Sequence, residues 1–210
     1  MLANYFDHCY LINLPKREDR KQRALEECGK IGLVPEVFPA IDGKEENLAF
    51  NNPRQIEPIA WNQGAAGLMK TTERILEDAK AKGYDTILIL EDDIEFHPQI
   101  HEIFDEYEAS LPKNWEILQF GCCHRQTPEK INFRIFRIKR ADCLHCYAIH
   151  SKIYAVFLDE IRKMEQPLDH ITMNELQPRG TSYCLYPNFA YQRPDYSDIG
   201  SKNVNYSFLR

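Results

Sequence analysis

The stretch that decides the fold is residues 86–96, TILILEDDIEF. Its first part, residues 86–90, is a continuous apolar run, and such runs are typical of strands that a parallel sheet buries on both faces. Its second part, residues 91–95, holds four carboxylates in five positions. Like charges repel one another in a crevice of low dielectric, so a positive partner is expected, and a divalent cation is the simplest one.

The acidic part has two interpretations, both based on its position after the strand. If the extended backbone continues past Leu90, Glu91 and Asp93 point to one side with their Cα atoms about 6.6 Å apart, so that both can reach one ion directly or through a water. Ligands of open α/β sheets also gather beyond the carboxyl ends of the strands. The alternative is a solvated acidic turn before a helix, where the helix dipole favours carboxylates. The residues alone leave both interpretations open.

On both sides of this stretch, short apolar runs alternate with helical patterns, and this alternation is typical of an α/β protein. The sequence predicts strands at residues 8–14, 36–41, 86–90, 116–120, 133–138, 146–150 and 182–186. It predicts helices at residues 16–30, 67–82, 98–110 and 151–164 and a shorter one from Asp169, with Gly83 as the stop of the second. Residues 44–63 are expected to form a loop with at most one helical turn, and the chain is expected to be irregular from Pro187. No repeat or change of composition divides the chain, so a single domain over residues 1–210 is predicted.

The composition limits the classes of partner. The 210 residues include 26 Lys and Arg against 32 Asp and Glu, a formal net charge of −6, whereas sequence-independent binding of nucleic acid requires a basic excess. The longest aliphatic run, residues 87–90, is far below the roughly 20 apolar residues that cross a bilayer. Residues 1–10 lack the basic start and apolar stretch of a secretory signal. We therefore expect no nucleic acid partner, no transmembrane segment and a cytoplasmic location, with any membrane contact peripheral.

Seven cysteines, an odd number, favour reduced thiols over a disulfide framework in a chain of this size. The most suggestive group is Cys143-x-x-Cys146, with Cys122, Cys123 and His124 upstream. Thiolates at that spacing can share a tetrahedral zinc ion, so a structural zinc site is one interpretation. Buried free thiols are the other. They are favoured because a single CxxC is a weak signal and Cys146 falls in a predicted strand.

Short segments in a fixed order carry a resemblance to a known family. They are YLINLPKREDR (residues 10–20), AIDG (40–43), GAAG (64–67), LEDD (90–93), HCYAI (145–149), PLD (167–169), Gln192 and SDI (197–199). In this order the sequence resembles glycosyltransferase family 25, which includes lipooligosaccharide galactosyltransferases and collagen hydroxylysine galactosyltransferases. Each segment is weak alone, but an unrelated protein would seldom contain all of them in that succession.

The resemblance implies a GT-A fold, in which a Rossmann-type sheet flanked by helices binds a nucleotide sugar. It implies transfer of galactose or glucose from a UDP-sugar to a glycan or a hydroxylated acceptor, with inversion, and Mn²⁺ or Mg²⁺ as cofactor. The leaving diphosphate gains negative charge, which a divalent ion stabilises. Asp93 is expected to contact the metal, and Glu91 or Asp92 to hold the ribose or a metal-bound water.

The resemblance also implies donor contacts from the first two strands and the turns after them. These residues are Asn13, Leu14, Arg17, Arg20, Asp42 and Gly43. Arg17 and Arg20 lie three apart on a predicted helix, so they share a face and could clamp a phosphate or a uracil carbonyl. Without the resemblance, a surface network with Glu18 and Asp19 is the favoured interpretation of these arginines.

One departure from the family pattern lies on the helix after the glycine motif. The family usually has a Ser-His pair there, whereas this chain has Thr71 and Thr72. Thr71 keeps a hydroxyl and is a candidate donor contact, but Thr72 replaces an imidazole, which puts the identity of the donor in question. A non-catalytic module that binds a sugar nucleotide or a glycan is therefore the alternative function. A metal-dependent phosphohydrolase is a third, although it does not account for the other matching segments.

Inversion requires a base that takes the proton of the acceptor hydroxyl. Asp169 matches an acidic position of the family, and a helix N-cap is the equally weighted alternative for it. His145 is a candidate metal ligand or acceptor contact, against a strand histidine that is satisfied by a backbone carbonyl. Gln192, Ser197 and Asp198 match the closing motif of the family and are expected near the pocket.

Overall fold

The computed structural model describes residues 2–53 and 57–207. The strands in chain order are β1 His8–Asn13, β2 Glu36–Pro39, β3 Thr86–Glu91, β4 Ile94–Phe96, β5 Ile117–Gln119, β6 Cys123–Gln126, β7 Glu129–Lys130, β8 Ile135–Arg137, β9 Arg140–Asp142, β10 Cys146–His150, β11 Ser182–Leu185, β12 Ala190–Gln192, β13 Asp195–Ser197 and β14 Lys202–Val204. The α-helices are α1 Glu18–Lys30, α2 Ile59–Lys82, α3 Ile100–Glu108, α4 Tyr154–Arg162 and α5 Leu168–Ile171, and a π-helical turn over Thr172–Leu176 continues the last. Short 3-10 turns cover Leu2–Asn4, Ser151–Ile153 and Gln177–Arg179.

Eight of these strands form one mixed sheet in the order β2-β1-β3-β10-β5-β11-β8-β7. Strands β2, β1 and β3 run parallel to one another, and so do β5 and β11. Strand β10 is antiparallel to both β3 and β5. The α/β class predicted from the sequence is therefore confirmed, although β3 has one parallel and one antiparallel neighbour.

The sheet is covered on both faces, and the apolar run of β3 explains why. Leu88 and Leu90 pack in one core with side chains of α1 and α3. Ile87 and Ile89 pack in the other core with side chains of α2, α4 and α5. Successive side chains of a strand point to opposite faces, so a strand with two dry faces must be apolar throughout. Within the described parts of the chain, no helix combines the length and apolarity that crossing a bilayer requires.

Two predictions are wrong: the second helix does not begin at Gly67, and the chain after Pro187 is not irregular throughout. Helix α2 starts at Ile59, so residues 59–63 of the predicted loop are helical, while residues 54–56 of that loop lie outside the described part. Its first turns carry buried Asn62 beside alanines and glycines, and this composition has no aliphatic period to signal a helix. The segment after Pro187 contains β12, β13 and β14, three-residue strands too short to show a pattern. Gly83 does end α2 as predicted, with a left-handed φ of 73°.

Three glycines bring the loop after β2 and the end of the chain against the backbone of α2. A Cβ on Gly67 would lie 2.5 Å from the carbonyl oxygen of Ile41, and one on Gly43 would lie 1.9 Å from that of Gln63. A Cβ on Gly64 would lie 2.9 Å from the Cα of Ile199. The AIDG, GAAG and SDI segments therefore meet in space because side chains are missing at their contacts.

Replacing Gly67 with Ala should destabilise the fold. The added methyl must displace backbone, so we expect Gly67→Ala to lower the free energy of unfolding by about 1–3 kcal/mol, as overpacked sites do. Gly29→Ala is the matched control, because a Cβ there meets nothing within 4 Å and alanine is favoured over glycine inside a helix by about 0.5–1 kcal/mol. Urea denaturation of both variants measures the difference. Equal stability of the two would contradict the close approach of α2 to the β2 loop.

Candidate functional site

A cavity of about 420 Å³ opens beyond the carboxyl ends of β1, β2 and β3. Segments from the whole chain form its wall. They include Leu14 and Lys16 after β1, Asp42, Gly43 and Lys44 after β2, Trp61, Gly64 and Leu68 of α2, Glu91, Asp92 and Asp93 after β3, Asp169 of α5, and Gln192, Ser197, Asp198, Lys202 and Tyr206 of the C-terminal segment. This is the edge at which open α/β sheets bind ligands.

Strand β3 ends at Glu91, one residue past its predicted end, and Asp92 and Asp93 form the turn into β4. The condition of an extended backbone through Asp93 is therefore not met. The backbone N–H of Glu91 donates to the carbonyl of His145 at 2.9 Å, and that of Arg193 donates to the carbonyl of Asp93 at 2.8 Å. These bonds hold the turn from both sides. All three carboxylates nevertheless line the cavity.

Arg20 of α1 supplies a positive partner for the turn. Its Nη2 lies 2.5 Å from Oδ1 of Asp92 and 3.0 Å from Oδ2 of Asp93. The side-chain amide of Asn13 donates to Oδ2 of Asp92 at 2.7 Å. Arg20 is only 6% exposed, so it belongs to the site and not to a surface network. The sequence predicts a positive partner for these carboxylates, with a divalent cation as the simplest one. Arg20 supplies part of that positive charge.

The remaining carboxylate oxygens of the turn stay without a positive partner. Burial raises the pKa of Glu91 well above its usual range, and neighbouring Asp93 and Asp169 raise it further. Burial also raises the pKa of Asp92 to about 6, against the opposing effect of Arg20. The described residues include no ion pair to Glu91 or Asp169, and Oδ1 of Asp93 is buried without a hydrogen-bond partner. Such unpartnered oxygens fit a hard divalent cation such as Mn²⁺ or Mg²⁺.

Asp169 lies in the first turn of α5, on the cavity wall. The N-cap of this helix is Pro167, so the interpretation of Asp169 as an N-cap is wrong. Burial and the charge of Asp142 raise the pKa of Asp169 to about 6, and the backbone N–H of Cys143 donates to its carboxylate. A carboxyl with this pKa is ionised at neutral pH and can accept a proton.

The opposite rim is a network of paired charges. Arg17 binds both Asp198 and Asp19, the latter at 3.0 Å from its Nε. The contact with Asp19 is the surface pair expected from the sequence, and the contact with Asp198 joins Arg17 to the rim. Lys16 binds the Asp42 carboxylate, and Lys44 donates to the backbone carbonyl of Asp198. The cations on this rim can exchange these partners for the phosphates of a ligand.

Four predicted site residues do not line the cavity. They are Asn13, Arg17, Thr71 and His145. Thr71 is buried; its hydroxyl accepts from the N–H of Ile41 at 2.9 Å and donates to the carbonyl of Gly67 at 2.8 Å. Nε2 of His145 bonds the carbonyl of Ala190 at 3.0 Å, which agrees with the backbone-carbonyl interpretation, and burial lowers the pKa of this imidazole. Their roles in binding stay predictions.

Several residues of the cavity wall are not predicted by the sequence. Trp61 falls within residues 44–63, for which the sequence predicts a loop, and Lys44 only adjoins the AIDG segment. Tyr206 lies close to Glu91 and Asp93, and its burial raises the pKa of its hydroxyl to about 12. No periodic pattern marks a single tyrosine near the end of a chain, so nothing in the sequence could have identified it.

No family profile matches the chain, but curated proteins are similar to it. It is 28% identical over 130 residues to a glycosyltransferase 25 family member of Aedes aegypti, covering 54% of this chain and 21% of that protein. It is 23% identical over 176 residues to procollagen galactosyltransferase 2 of Mus musculus, covering 76% and 27%. A third relative, 24% identical over 131 residues (55% and 22%), is the probable inactive glycosyltransferase 25 family member 3 of Bos taurus.

The chain spans less than a third of the length of these relatives. Among solved structures it is similar to a glycosyltransferase involved in the glycosylation of the major capsid of PBCV-1, with a TM-score of 0.50 and 13% identity over 84% of this chain and 79% of that one. The resemblance to glycosyltransferase family 25 and the Rossmann-type, GT-A-like fold are confirmed.

Removing the guanidinium of Arg20 should strongly destabilise the acidic turn. Loss of one partner from a buried ion pair typically costs about 3–5 kcal/mol, so we expect Arg20→Met to lower the free energy of unfolding by about that amount near pH 7. Without Arg20 the pKa of folded Asp92 rises further above its unfolded value. A raised carboxyl pKa favours the folded state only at low pH, so the deficit should shrink as the pH falls to about 4.

Urea denaturation at both pH values measures this effect. Arg162→Met is the control, because Arg162 and its partner Glu77 are about half exposed, and loss of such a surface pair should cost less than about 1 kcal/mol. The double variant Arg20→Met/Asp92→Asn should recover part of the stability, since it removes one unpaired charge. A deficit that does not change with pH would contradict the role of Arg20 as the counter-charge of the turn.

Proposed function

We propose that this relative of glycosyltransferase family 25 is a metal-dependent glycosyltransferase. In this proposal it transfers galactose or glucose from a UDP-sugar to a glycan or a hydroxylated acceptor, with inversion. One observation carries the proposal: segments by which the sequence resembles the family lie far apart in the chain, yet residues of the AIDG, GAAG, LEDD, PLD and SDI segments line one cavity. Its volume of about 420 Å³ is in the range of small-molecule clefts.

The donor binds between the ends of β1 and β2 and the first turns of α2. Trp61, Leu68 and Ile199 provide an apolar wall for the base. Asp42, which follows β2, accepts hydrogen bonds from the ribose hydroxyls. Lys16 and Lys44 line the cavity at this rim and neutralise phosphate charge. Thr71 contributes indirectly, because its hydroxyl fixes the backbone of Ile41 beside Asp42.

The diphosphate lies against the acidic turn. Asp93, whose Oδ1 is buried without a partner, and Glu91 would hold Mn²⁺ or Mg²⁺. When bound, that ion supplies Lewis-acid stabilisation of the departing diphosphate. Asp92 is already engaged by Arg20 and Asn13, so it orients the turn.

Asp169 acts as the base. Its carboxylate lies on the cavity wall, is ionised near neutral pH, and is oriented by the backbone N–H of Cys143. It accepts the proton of the acceptor hydroxyl as the hydroxyl oxygen attacks the anomeric carbon. Gln192 and Ser197, on the C-terminal side of the cavity, contact the acceptor.

A non-catalytic binding module is the second candidate. The relative described as probably inactive and the replacement of the family histidine by Thr72 favour it. Thr72, however, is buried and donates to the carbonyl of Leu68 at 2.9 Å, so its side chain is turned to the helix and not to the cavity. This placement favours the enzyme over the module.

Donor binding and turnover can be separated by two variants. We expect UDP-galactose or UDP-glucose, but not GDP-mannose or CMP-sialic acid, to raise the melting temperature of the protein only with Mn²⁺, since a ligand that binds the folded state stabilises it. Asp93→Asn should lose this shift. Asp169→Asn should keep the shift and lose release of UDP in the presence of a panel of galactosides and hydroxylysine peptides. Asp159→Asn, on the exposed side of α4, is the control and should keep both.

The outcomes distinguish the candidates. Donor binding by the parent without UDP release in the presence of any acceptor would support the binding module. Absence of a shift with every nucleotide sugar would contradict both the enzyme and a module that binds sugar nucleotides, and would favour a phosphohydrolase. UDP release by Asp169→Asn at the parental rate would remove the assigned role of that residue.

The pH dependence of turnover tests the base directly. Because Asp169 must be ionised to accept a proton and its pKa is raised to about 6, kcat/KM should fall as the pH decreases below about 6. Asp92 has a similar pKa, so Asp92→Asn is the control and should keep this acid limb even if its rate is lower. Loss of the limb in Asp92→Asn would assign the titration to Asp92 and contradict the proposal for Asp169.

A further inference from the structure

A second group of ligand-type side chains lies towards the β8 side of the sheet, where β11 meets the segment that enters β6. It consists of Cys122, His124 and Cys184, whose ligand atoms lie within 4.8 Å of one another. Nε2 of His124 is 3.5 Å from Sγ of Cys122 and 3.5 Å from Sγ of Cys184. None of the three lines the cavity described above.

These distances have the dimensions of a tetrahedral zinc site. Zinc lies about 2.3 Å from a thiolate sulfur and about 2.0–2.1 Å from an imidazole nitrogen, which places the sulfur and the nitrogen about 3.6 Å apart on a tetrahedron. Both S···N distances agree with that edge. Two thiols and an imidazole are also the soft and borderline donors that zinc prefers, whereas Mn²⁺ and Mg²⁺ prefer oxygen.

The small size of the surrounding hydrophobic core indicates that a bound ion would stabilise this part of the fold. A small hydrophobic cluster contains Cys122, Ile138, Ala141 and Cys184, with Phe136 packed against it. It lies beneath β6 and β9, a two-stranded ribbon that is separate from the main sheet. The ladder of this ribbon is irregular between His124 and Gln126. A core this small supplies little stability, and structural metals compensate for that in small units.

The other cysteines are less suited. Cys123 and Cys143 have their sulfurs 2.7 Å apart, but the carboxylate of neighbouring Asp142 is engaged by Arg125 at 2.6 Å. Cys9, Cys28 and Cys146 are buried in the main core. Among the described residues, Cys122 and Cys184 are the thiols that share a histidine nitrogen.

We propose that Cys122, His124 and Cys184 bind one zinc-class divalent cation, with water at the fourth position. His124 is exposed, so solvent reaches that side of the site. Each thiol releases its proton to solvent as its bond to the metal forms. The ion fastens the β6–β9 ribbon to β11, because Cys122 and His124 come from the ribbon side and Cys184 from the main sheet.

The test measures metal binding by the full chain and does not depend on glycosyltransferase activity. After removal of metal under reducing conditions, Zn²⁺ is titrated against a chromophoric chelator, and Co²⁺ serves as a spectroscopic probe of thiolate ligation. We expect one equivalent of Zn²⁺ per chain, a thiolate-to-cobalt charge-transfer band and a higher melting temperature with Zn²⁺. His124→Asn and Cys184→Ser should weaken binding by more than the roughly 10- to 100-fold that loss of an outer-sphere partner costs.

Cys143→Ser and Asp93→Asn are the controls. Both leave the three ligands intact, so both should keep the stoichiometry, the cobalt band and the stabilisation by Zn²⁺. His124→Asn alters an exposed side chain, so its far-ultraviolet circular dichroism should match that of the parent. The proposal is overturned if the parent binds no stoichiometric Zn²⁺, if His124→Asn binds it as tightly as the parent, or if Cys143→Ser loses it as Cys184→Ser does.

Discussion

The ion pair of Arg20 with the turn after β3 is the interaction on which the site depends. Strand β3 is buried on both faces, so its last residue, Glu91, lies in an environment of low dielectric. The chain continues with two further carboxylates, Asp92 and Asp93. The guanidinium contacts both, at 2.5 and 3.0 Å. Because Arg20 lies on α1 and the turn leads into β4, this one side chain also fixes the helix against the sheet. Burial of the pair is costly, and the geometry must be good to offset the desolvation.

The rest of the site depends on the close approach of the backbones of the β2 loop, α2 and the C-terminal segment. Gly43, Gly64 and Gly67 lack the side chains that would separate the β2 loop, the end of the chain and α2. Asp42 and Asp198 are thereby brought to the same rim, where Lys16 pairs with Asp42 and Arg17 with Asp198, and Lys44 donates to the backbone carbonyl of Asp198. The cavity thus has an acidic end near β3 and a mixed rim near β2. Carboxylates repel a diphosphate unless a cation lies between them, so this arrangement suits the metal-dependent donor binding proposed above.

The sequence predicts what is local. Strand β10 is found at the predicted residues, Cys146–His150, and α2 ends at the predicted glycine, because an apolar run and a left-handed stop are properties of a few neighbouring residues. The sequence does not predict the pairing of Arg20 with Asp92, which joins distant segments. Thr71 and His145 occupy family positions, but their polar atoms bond backbone groups supplied by Ile41 and Ala190. Such partners become visible only once the chain is folded.

The two candidate metal sites use different kinds of ligand atom, and one segment of the chain lies next to both. Hard carboxylate oxygens gather after β3, while thiols and an imidazole gather between β6 and β11. The ribbon β6–β9 connects them: β9 ends at Asp142, whose charge raises the pKa of Asp169, and the next residue, Cys143, donates its backbone N–H to the same carboxylate. Buried Gln177 holds the ribbon through both backbone groups of Ala141, at 2.9 and 2.6 Å. An ion bound by Cys122, His124 and Cys184 would hold it from the sheet side, so a soft-metal site would stabilise the segment that sets the protonation of the proposed base.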